Sequence, residues 1–301
     1  MHKKTKNWLI FLGFILVIFL IVFFFILHHN KQSITGYSSS YLNRPAPSYE
    51  MSLKQMKGSI DIYSVTYQSK NFLNYPSTIY GLLFIPRDAE DIPGIVMLPG
   101  GSVNKESFTT RSLEMANLGY AVLVIDQRGI GETGGPYPTM QEDYQIFASG
   151  EESIQHLGVY DALAASDVLR DIKGVDRKNI AILGESMGGR YAIIATALDK
   201  KLKGTITISS AGFHFEDESQ PYTAYILSID PDKYIADISP RPVLMLQGDN
   251  DSIVSLEDAE YTFNLAKEPK KFFIAEGCGH GYCEKMSEEF KKDLDILFEK
   301  E

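Results

Sequence analysis

The chain has 301 residues, of which 44% are hydrophobic and 23% charged, and its formal net charge at pH 7 is -10. Without residues 1–31, which carry four lysines and no acid, 25 basic residues remain against 39 acidic ones, a balance of −14. Such an acidic surface disfavours nucleic acid and anionic lipid as partners and promotes solubility. The sequence contains no internal repeat and no low-complexity tract.

The first predicted element is an apolar segment near the N-terminus. Residues 8–27 form an unbroken run of apolar or small residues, which is the length that an α-helix needs to cross a bilayer core. The lysines are concentrated before this run, and positively charged flanks usually stay in the cytoplasm. We therefore predict that residues 1–6 are a cytoplasmic N-terminus and that residues 7–29 are a transmembrane anchor. The protein would then be located in the cell membrane, with the remaining chain outside. A cleaved secretory signal is the alternative, although its apolar region is usually only about 7 to 15 residues long.

A linker and one large domain are predicted after the anchor. Residues 30–55 are rich in Ser, Tyr and Pro and show no sustained hydrophobic period, which is typical of a spacer. The alternative is that this segment forms part of the domain's own edge. Residues 56–301 are numerous enough for a single domain with a sizeable core.

The domain begins with two strand-like stretches and continues with short apolar runs that alternate with helical segments. The first two stretches, near residues 59–69 and 77–86, predict an antiparallel pair. The later runs are apolar on both faces, which predicts an α/β fold with a mostly parallel central sheet covered by helices on both faces. These runs lie at 94–98, 120–126, 179–184, 204–209, 242–248 and 271–277.

The motif Gly184-Glu185-Ser186-Met187-Gly188 lies between an apolar strand and an amphipathic helix. This placement is that of a nucleophile elbow, a tight turn that exposes a serine hydroxyl above the sheet. Side chains two residues before and after the serine would collide across such a turn, and glycine occupies both positions. We therefore predict that Ser186 is a catalytic nucleophile.

A serine nucleophile needs a base, which in turn is oriented by an acid. Asp249 and Asp251 follow one later strand and His280 follows the next, so all three are expected at the edge of the sheet where sites are built. The spacing Gly-x-x-Asp-x-x-Val favours Asp251 as the acid, and Asp249 then closes the turn. We predict His280 as the base.

Two alternatives to these partners stay open. His214 is the rival for the base, because it also follows a strand. Glu216 or Asp217, which come after the same strand, are alternatives for the acid.

Acyl transfer also needs N–H donors aimed at the developing oxyanion. The backbone N–H of Met187, the residue after the nucleophile, is one predicted donor. The second is expected in the loop "LPGGSVNKES", where the N–H of Gly101 is preferred over that of Ser102.

Several segments together resemble the α/β-hydrolase superfamily, nearest its dienelactone-hydrolase and prolyl-oligopeptidase-like branches. They are "LPGGSVNKES", "VLVIDQRGIGETGG", "DRKNIAILGESMGGRYAIIATAL", "SPRPVLMLQGDNDSIV" and "GCGHG". The resemblance implies the α/β-hydrolase fold and the chain order nucleophile, acid, histidine. Arg128, in the second segment, matches a common feature of the family and is interpreted as a structural ion-pair partner.

The combined prediction is a membrane-anchored serine hydrolase that acts on carboxylic esters through an acyl-enzyme. A small-molecule ester or short peptide is the expected substrate, and no metal or organic cofactor is required. A serine peptidase of the aminopeptidase or oligopeptidase kind and an acyl-thioester hydrolase are the enzymatic alternatives. A surface interaction protein that keeps the hydrolase fold without turnover is the non-enzymatic one.

Both cysteines of the chain, Cys278 and Cys283, flank His280. A zinc site would need further ligands at suitable spacing, and a redox pair is more often C-x-x-C. A disulfide, which suits an exterior location, and a pair of free thiols both remain open.

Overall fold

The computed structural model describes residues 37–215 and 219–299. The predicted cytoplasmic N-terminus and transmembrane anchor lie outside the described residues, as do Glu216 and Asp217. Within the described ranges, none of the helices has both the length and the apolar character that a membrane span requires.

The centre of the described part is a nine-stranded sheet with the spatial order β1-β2-β3-β5-β4-β6-β7-β8-β9. The strands are β1 (Tyr49–Lys57), β2 (Ile60–Phe72), β3 (Tyr75–Pro86), β4 (Ile92–Leu98), β5 (Ala121–Ile125), β6 (Val175–Glu185), β7 (Thr205–Ile208), β8 (Val243–Gly248) and β9 (Lys270–Ala275). The first three strands run antiparallel to their neighbours, and the strands from β4 to β9 are mutually parallel.

Helices connect the parallel strands. They are α1 (Thr109–Asn117), α2 (Met140–Ala148), α3 (Ile154–Asp171), α4 (Met187–Leu198), α5 (Thr223–Ile229), α6 (Leu256–Leu265) and α7 (Ser287–Phe298), with short 3-10 turns at Ser39–Tyr41, Lys105–Phe108, Pro231–Lys233, Ile235–Asp237 and Glu284–Met286. Several begin at polar caps: Thr139 forms a capping box with Glu142 before α2, and the hydroxyl of Ser153 accepts the Gln155 N–H at the start of α3.

The core has two layers, one on each face of the sheet. Val96 and Ile182 point toward α3 and α4, whereas Ile95 and Met97 point toward α1 and α7. Neighbouring residues of one strand thus bury opposite faces, which follows from the two-residue period of a strand. The predicted mostly parallel sheet with helices on both faces is confirmed.

The linker predicted over residues 30–55 overlaps ordered structure, because residues 37–55 pack on the domain or pair with its sheet, as the alternative of a domain edge expects. Tyr37 and Tyr41 are buried, and the Tyr41 hydroxyl donates a 2.6 Å hydrogen bond to Glu152. Strand β1 then pairs antiparallel with β2 at the edge of the sheet. Nearly every side chain of β1 is exposed, so backbone pairing with β2, and not burial of its side chains, holds the strand.

Strand register brings the loops that carry polar residues together. Leu98 at the end of β4 is paired with Gly184 near the end of β6, so the glycine loop emerges beside the elbow. Gly248 at the end of β8 is paired with Ala275 at the end of β9, so the loops bearing Asp251 and His280 are also neighbours. The candidate site therefore lies at the carboxyl edge of the parallel strands.

Candidate active site

Ser186 occupies a strained turn between β6 and α4. Its φ of 54° and ψ of −120° lie in a region that residues other than glycine rarely adopt. A Cβ on Gly188 would lie 2.2 Å from the Leu98 carbonyl oxygen, and one on Gly184 would lie 2.2 Å from the Gly188 carbonyl oxygen. Glycine is therefore required on both sides of the elbow, as the motif predicts.

Asp251 and His280 form a hydrogen-bonded pair. His280 Nδ1 lies 2.8 Å from Asp251 Oδ2 and 3.0 Å from Oδ1. The Asp251 side chain is fully buried, whereas 22% of the His280 side chain is exposed. The acid is thus enclosed in protein while the imidazole reaches the surface of the site.

The surroundings of Asp251 keep its carboxylate ionised. Burial by itself raises the pKa of this group, but the N–H groups of Val254 and Ile253 and the ring of His280 outweigh burial, so the Asp251 pKa is lowered. A carboxylate facing Nδ1 favours the tautomer that carries its proton there, which leaves Nε2 able to accept one. This is the arrangement that a general base needs.

The rival residues have other partners. Asp249 Oδ1 accepts the Gly277 N–H at 2.6 Å, which closes the turn between the β8 and β9 loops. The ring of His214 lies 3.3 Å from Asp258 and 3.6 Å from Asp232, and it packs against the ring of Tyr261. Neither rival takes part in the Asp251–His280 pair.

Residues 277–283, the histidine loop, contact the elbow directly. The Tyr282 N–H donates to Glu185 Oε2 at 3.3 Å, so a residue just after His280 binds the residue just before Ser186. The Gly281 N–H donates to Ser209 Oγ at 2.9 Å. Sequence reasoning missed the role of Glu185, because the second position of the elbow motif accepts any residue.

Both predicted oxyanion donors belong to backbone segments beside the serine. A Cβ on Gly100 would lie 3.2 Å from Ser186 Cβ, and one on Gly101 would lie 4.0 Å from the thioether of Met187. The Tyr137 hydroxyl contacts that thioether at 2.9 Å. Gly100 thus lets the loop after β4 approach the nucleophile closely, whereas a side chain at Gly101 would make only an ordinary van der Waals contact.

A buried lysine holds the same loop in place. Lys105 Nζ lies 2.7 Å from Asp126 and 2.6 Å from Glu132, and the Lys105 N–H donates to Asp126 Oδ1. Burial lowers the pKa of Lys105, but hydrogen bonds to these carboxylates and to Glu106 outweigh it, and the net pKa is raised. The loop after β4 is thereby fixed to the loop after β5. The sequence contains no pattern that distinguishes this lysine from an exposed one.

Arg128 forms the ion pair that its motif predicts. Its guanidinium contacts both oxygens of Asp161, at 2.7 and 2.9 Å, and donates to Ser77 Oγ at 2.9 Å. Both charged side chains are about 95% buried. Arg128 therefore joins the β2–β3 hairpin to α3 and lies in the scaffold of the site.

The two cysteines are joined as a disulfide with Cα atoms 6.2 Å apart. Their sulfurs are therefore neither free thiols nor available as thiolate ligands. Within residues 37–215 and 219–299, no group of three or more His, Cys, Asp or Glu side chains is arranged to hold a metal ion.

Known proteins similar to this chain include bacterial proteins of unassigned function. The uncharacterized protein YfhR of Escherichia coli is 27% identical over 146 residues, which are 44% of this chain and 49% of YfhR. The YfhR of Salmonella typhimurium is 29% identical over 152 residues, 45% of this chain and 52% of that protein. The chain thus spans about half the length of the curated relatives it matches.

Solved structures share the fold. The acetyl xylan esterase of a Paenibacillus species matches with a TM-score of 0.68 at 21% identity, covering 85% of this chain and 91% of that one. A family model described as acetyl xylan esterase (AXE1) matches residues 43–216, more than half of the chain. The α/β-hydrolase resemblance is confirmed. The chain belongs to the acetyl xylan esterase (AXE1) family.

Proposed function

We propose that this protein hydrolyses carboxylic esters with Ser186 as nucleophile, His280 as base and Asp251 as the orienting acid. The observation that carries the proposal is the Asp251–His280 pair, at 2.8 Å, whose histidine lies in a loop that contacts the elbow of Ser186. Among the described residues, Ser186 Oγ and His280 form no hydrogen bond, and such bonds often tighten only when substrate binds.

The mechanism follows from the roles of these groups. His280 Nε2 takes the proton of Ser186 as Oγ attacks the ester carbonyl carbon, and the N–H groups of Met187 and Gly101 bind the oxyanion. The same imidazole then gives the proton to the departing alcohol, which leaves an acyl-serine. Water, deprotonated by His280, releases the carboxylic acid and restores Ser186. The mechanism uses only protein groups and water.

An ester is the favoured substrate because of the family. The matched family model and a solved structural neighbour both carry the description acetyl xylan esterase. An acetylated polysaccharide is therefore the first natural substrate class to test, and a short-chain ester is the first assay substrate. The domain also offers no motif that marks a pocket for a peptide terminus.

We also propose that residues 7–29 anchor the protein in the cell membrane with the catalytic domain outside. The apolar run and its flanking lysines support this orientation. The disulfide supports it too, because disulfides persist mainly in oxidising compartments. Protease treatment of intact cells should remove the domain, and full resistance would contradict the orientation.

A fluorophosphonate probe tests the serine hydrolase directly. The wild-type protein should be labelled, and labelling should disappear in Ser186→Ala, whereas Ser102→Ala should remain labelled as a control serine of the same site. An unlabelled wild type would refute the enzyme and favour an interaction protein. Nitrophenyl acetate compared with aminoacyl anilides distinguishes esterase from peptidase, and cleavage of the anilides alone would refute the ester proposal.

A further inference from the structure

Glu185 connects the two segments that carry the reacting side chains of the proposed mechanism, although it takes no part in the triad. It directly precedes Ser186 in the chain, and its Oε2 accepts the N–H of Tyr282, two residues after His280. A Cβ on Gly281 would lie 3.0 Å from Glu185 Oε1, so the histidine loop passes close to both oxygens of this carboxylate.

Arg111 on α1 also binds the Glu185 carboxylate. Its Nη1 and Nη2 both donate to Glu185 Oε2 at 3.1 Å. Its guanidinium also lies 4.2 Å from the ring centroid of Tyr282 and 4.9 Å from that of Phe108. The side chains of Arg111 and Glu185 are only 16% and 15% exposed, so water screens this pair weakly.

The contacts restrict the backbone immediately after the base. Ser209 Oγ holds the N–H of Gly281, and Glu185 holds the N–H of Tyr282. Gly281 has a φ of 87°, so the chain turns sharply directly after His280 and needs these two acceptors to fix its direction. Because Glu185 shares a peptide bond with Ser186, the same contact sets the distance between the elbow and the loop.

We propose that Glu185, together with Arg111, is a positioning residue that fixes the histidine loop relative to the nucleophile. The proposal rests on the proposed function, since the effect of Glu185 on turnover is transmitted through His280 and Ser186. Misplacement of a catalytic group by about 1 Å can cost 100-fold in rate. Loss of the carboxylate is therefore expected to lower kcat and to leave KM nearly unchanged.

The test compares Glu185→Ala, Glu185→Gln and Arg111→Leu with the wild type. In Glu185→Ala, kcat for nitrophenyl acetate should fall by about 10- to 100-fold with KM unchanged. Glu185→Gln should recover part of the rate, because its amide oxygen can still accept the Tyr282 N–H while its pairing with Arg111 is lost. Arg111→Leu, whose site is on a helix outside the elbow, should act in the same direction if Glu185→Ala does not fold.

Asp61→Ala is the matched control. Asp61 on β2 pairs with Arg87 through a carboxylate–guanidinium contact of 2.9 Å, which is the same chemistry away from the elbow. This variant should keep the wild-type kcat. An effect as large as that of Glu185→Ala would mean that loss of any ion pair lowers the rate, which would overturn the proposal.

Amide hydrogen exchange provides a readout that does not depend on turnover. Exchange of the Gly281 and Tyr282 amides should accelerate by about tenfold or more in Glu185→Ala, while exchange in α3 stays unchanged. Unchanged exchange in the histidine loop, or unchanged kcat in an active protein, would overturn the proposal. If the wild type hydrolyses no ester, the proposed function fails while the exchange result still decides whether Glu185 holds the loop.

Discussion

Reduction of the Cys278–Cys283 disulfide should lower stability more than it lowers activity. The bond joins residues separated by five positions and so closes a loop of six residues in the unfolded chain. The loop-closure entropy of six residues corresponds to about 2 kcal/mol at 25 °C. For a domain of this size, about 2 kcal/mol shifts the unfolding temperature by about 4 to 8 °C.

Activity should survive because other contacts hold the base after the bond is cut. His280 stays bonded to Asp251, and Gly277, Gly281 and Tyr282 keep acceptors outside the loop. We therefore expect kcat for nitrophenyl acetate to fall by less than about tenfold, which corresponds to about 1.4 kcal/mol in the barrier.

The assay is thermal unfolding and ester hydrolysis with and without a phosphine reductant. Reduction measures the contribution of the covalent bond alone, because it breaks the bond and leaves both sulfur atoms in the protein. The double variant Cys278→Ala and Cys283→Ala is the control and should not respond to reductant. A wild-type unfolding temperature that does not change on reduction would refute the entropy argument. Complete loss of activity under mild reductant would refute the prediction that the disulfide contributes to stability more than to activity.

Two further predictions concern buried titratable groups. Burial lowers the pKa of His156 to about 4, whereas the unfolded side chain titrates near its ordinary value. The unfolded state therefore binds the proton first, and stability should be lost as pH falls from about 6.5 to 4, by about 3 kcal/mol in total. Urea unfolding at several pH values measures this loss, which should be absent in His156→Gln; equal slopes for the two proteins would contradict it. Asp251→Asn should lower kcat by about 10⁴-fold because the neutral amide cannot favour the catalytic tautomer of His280. The pKa of Asp251 is lowered in the folded protein, so its ionised form stabilises the wild type above the unfolded pKa of about 3.9. This stabilisation is lost as pH falls through the folded pKa. Steady-state kinetics of Asp251→Asn measure the loss of rate, and unfolding curves of this variant and the wild type measure the loss of stability.

The inner strands of the sheet could be predicted closely because they are largely buried on both faces. The runs predicted at 94–98 and 242–248 correspond to β4 and β8 within two residues. Continuous apolar segments of this kind leave few alternatives for a soluble domain. Strand β1 was missed because its stability depends on pairing with β2 and its own side chains remain in water.

The residues around the candidate triad show where local sequence stops being informative. Gln247 on β8 is buried, and its amide donates to Asp251 Oδ2 at 3.1 Å and to the Val254 carbonyl at 2.8 Å. Nothing in the segment "PVLMLQG" distinguishes this glutamine from an ordinary polar residue at the end of a strand. Its role depends on how the loop after β8 folds back onto the strand, which only the tertiary structure shows.

The sequence by itself determined the succession of strands from β2 to β9 along the chain, the elbow at Ser186 and the candidates Asp251 and His280. These features are local, because glycine spacing, apolar runs and turn residues act over a few positions of the chain. Only the tertiary structure decided that Asp251 rather than Asp249 faces His280, that Cys278 and Cys283 are bonded, and that Glu185 binds the histidine loop. These contacts join segments that are distant in sequence, so they depend on strand register and on the packing that brings the carboxyl ends of the strands together.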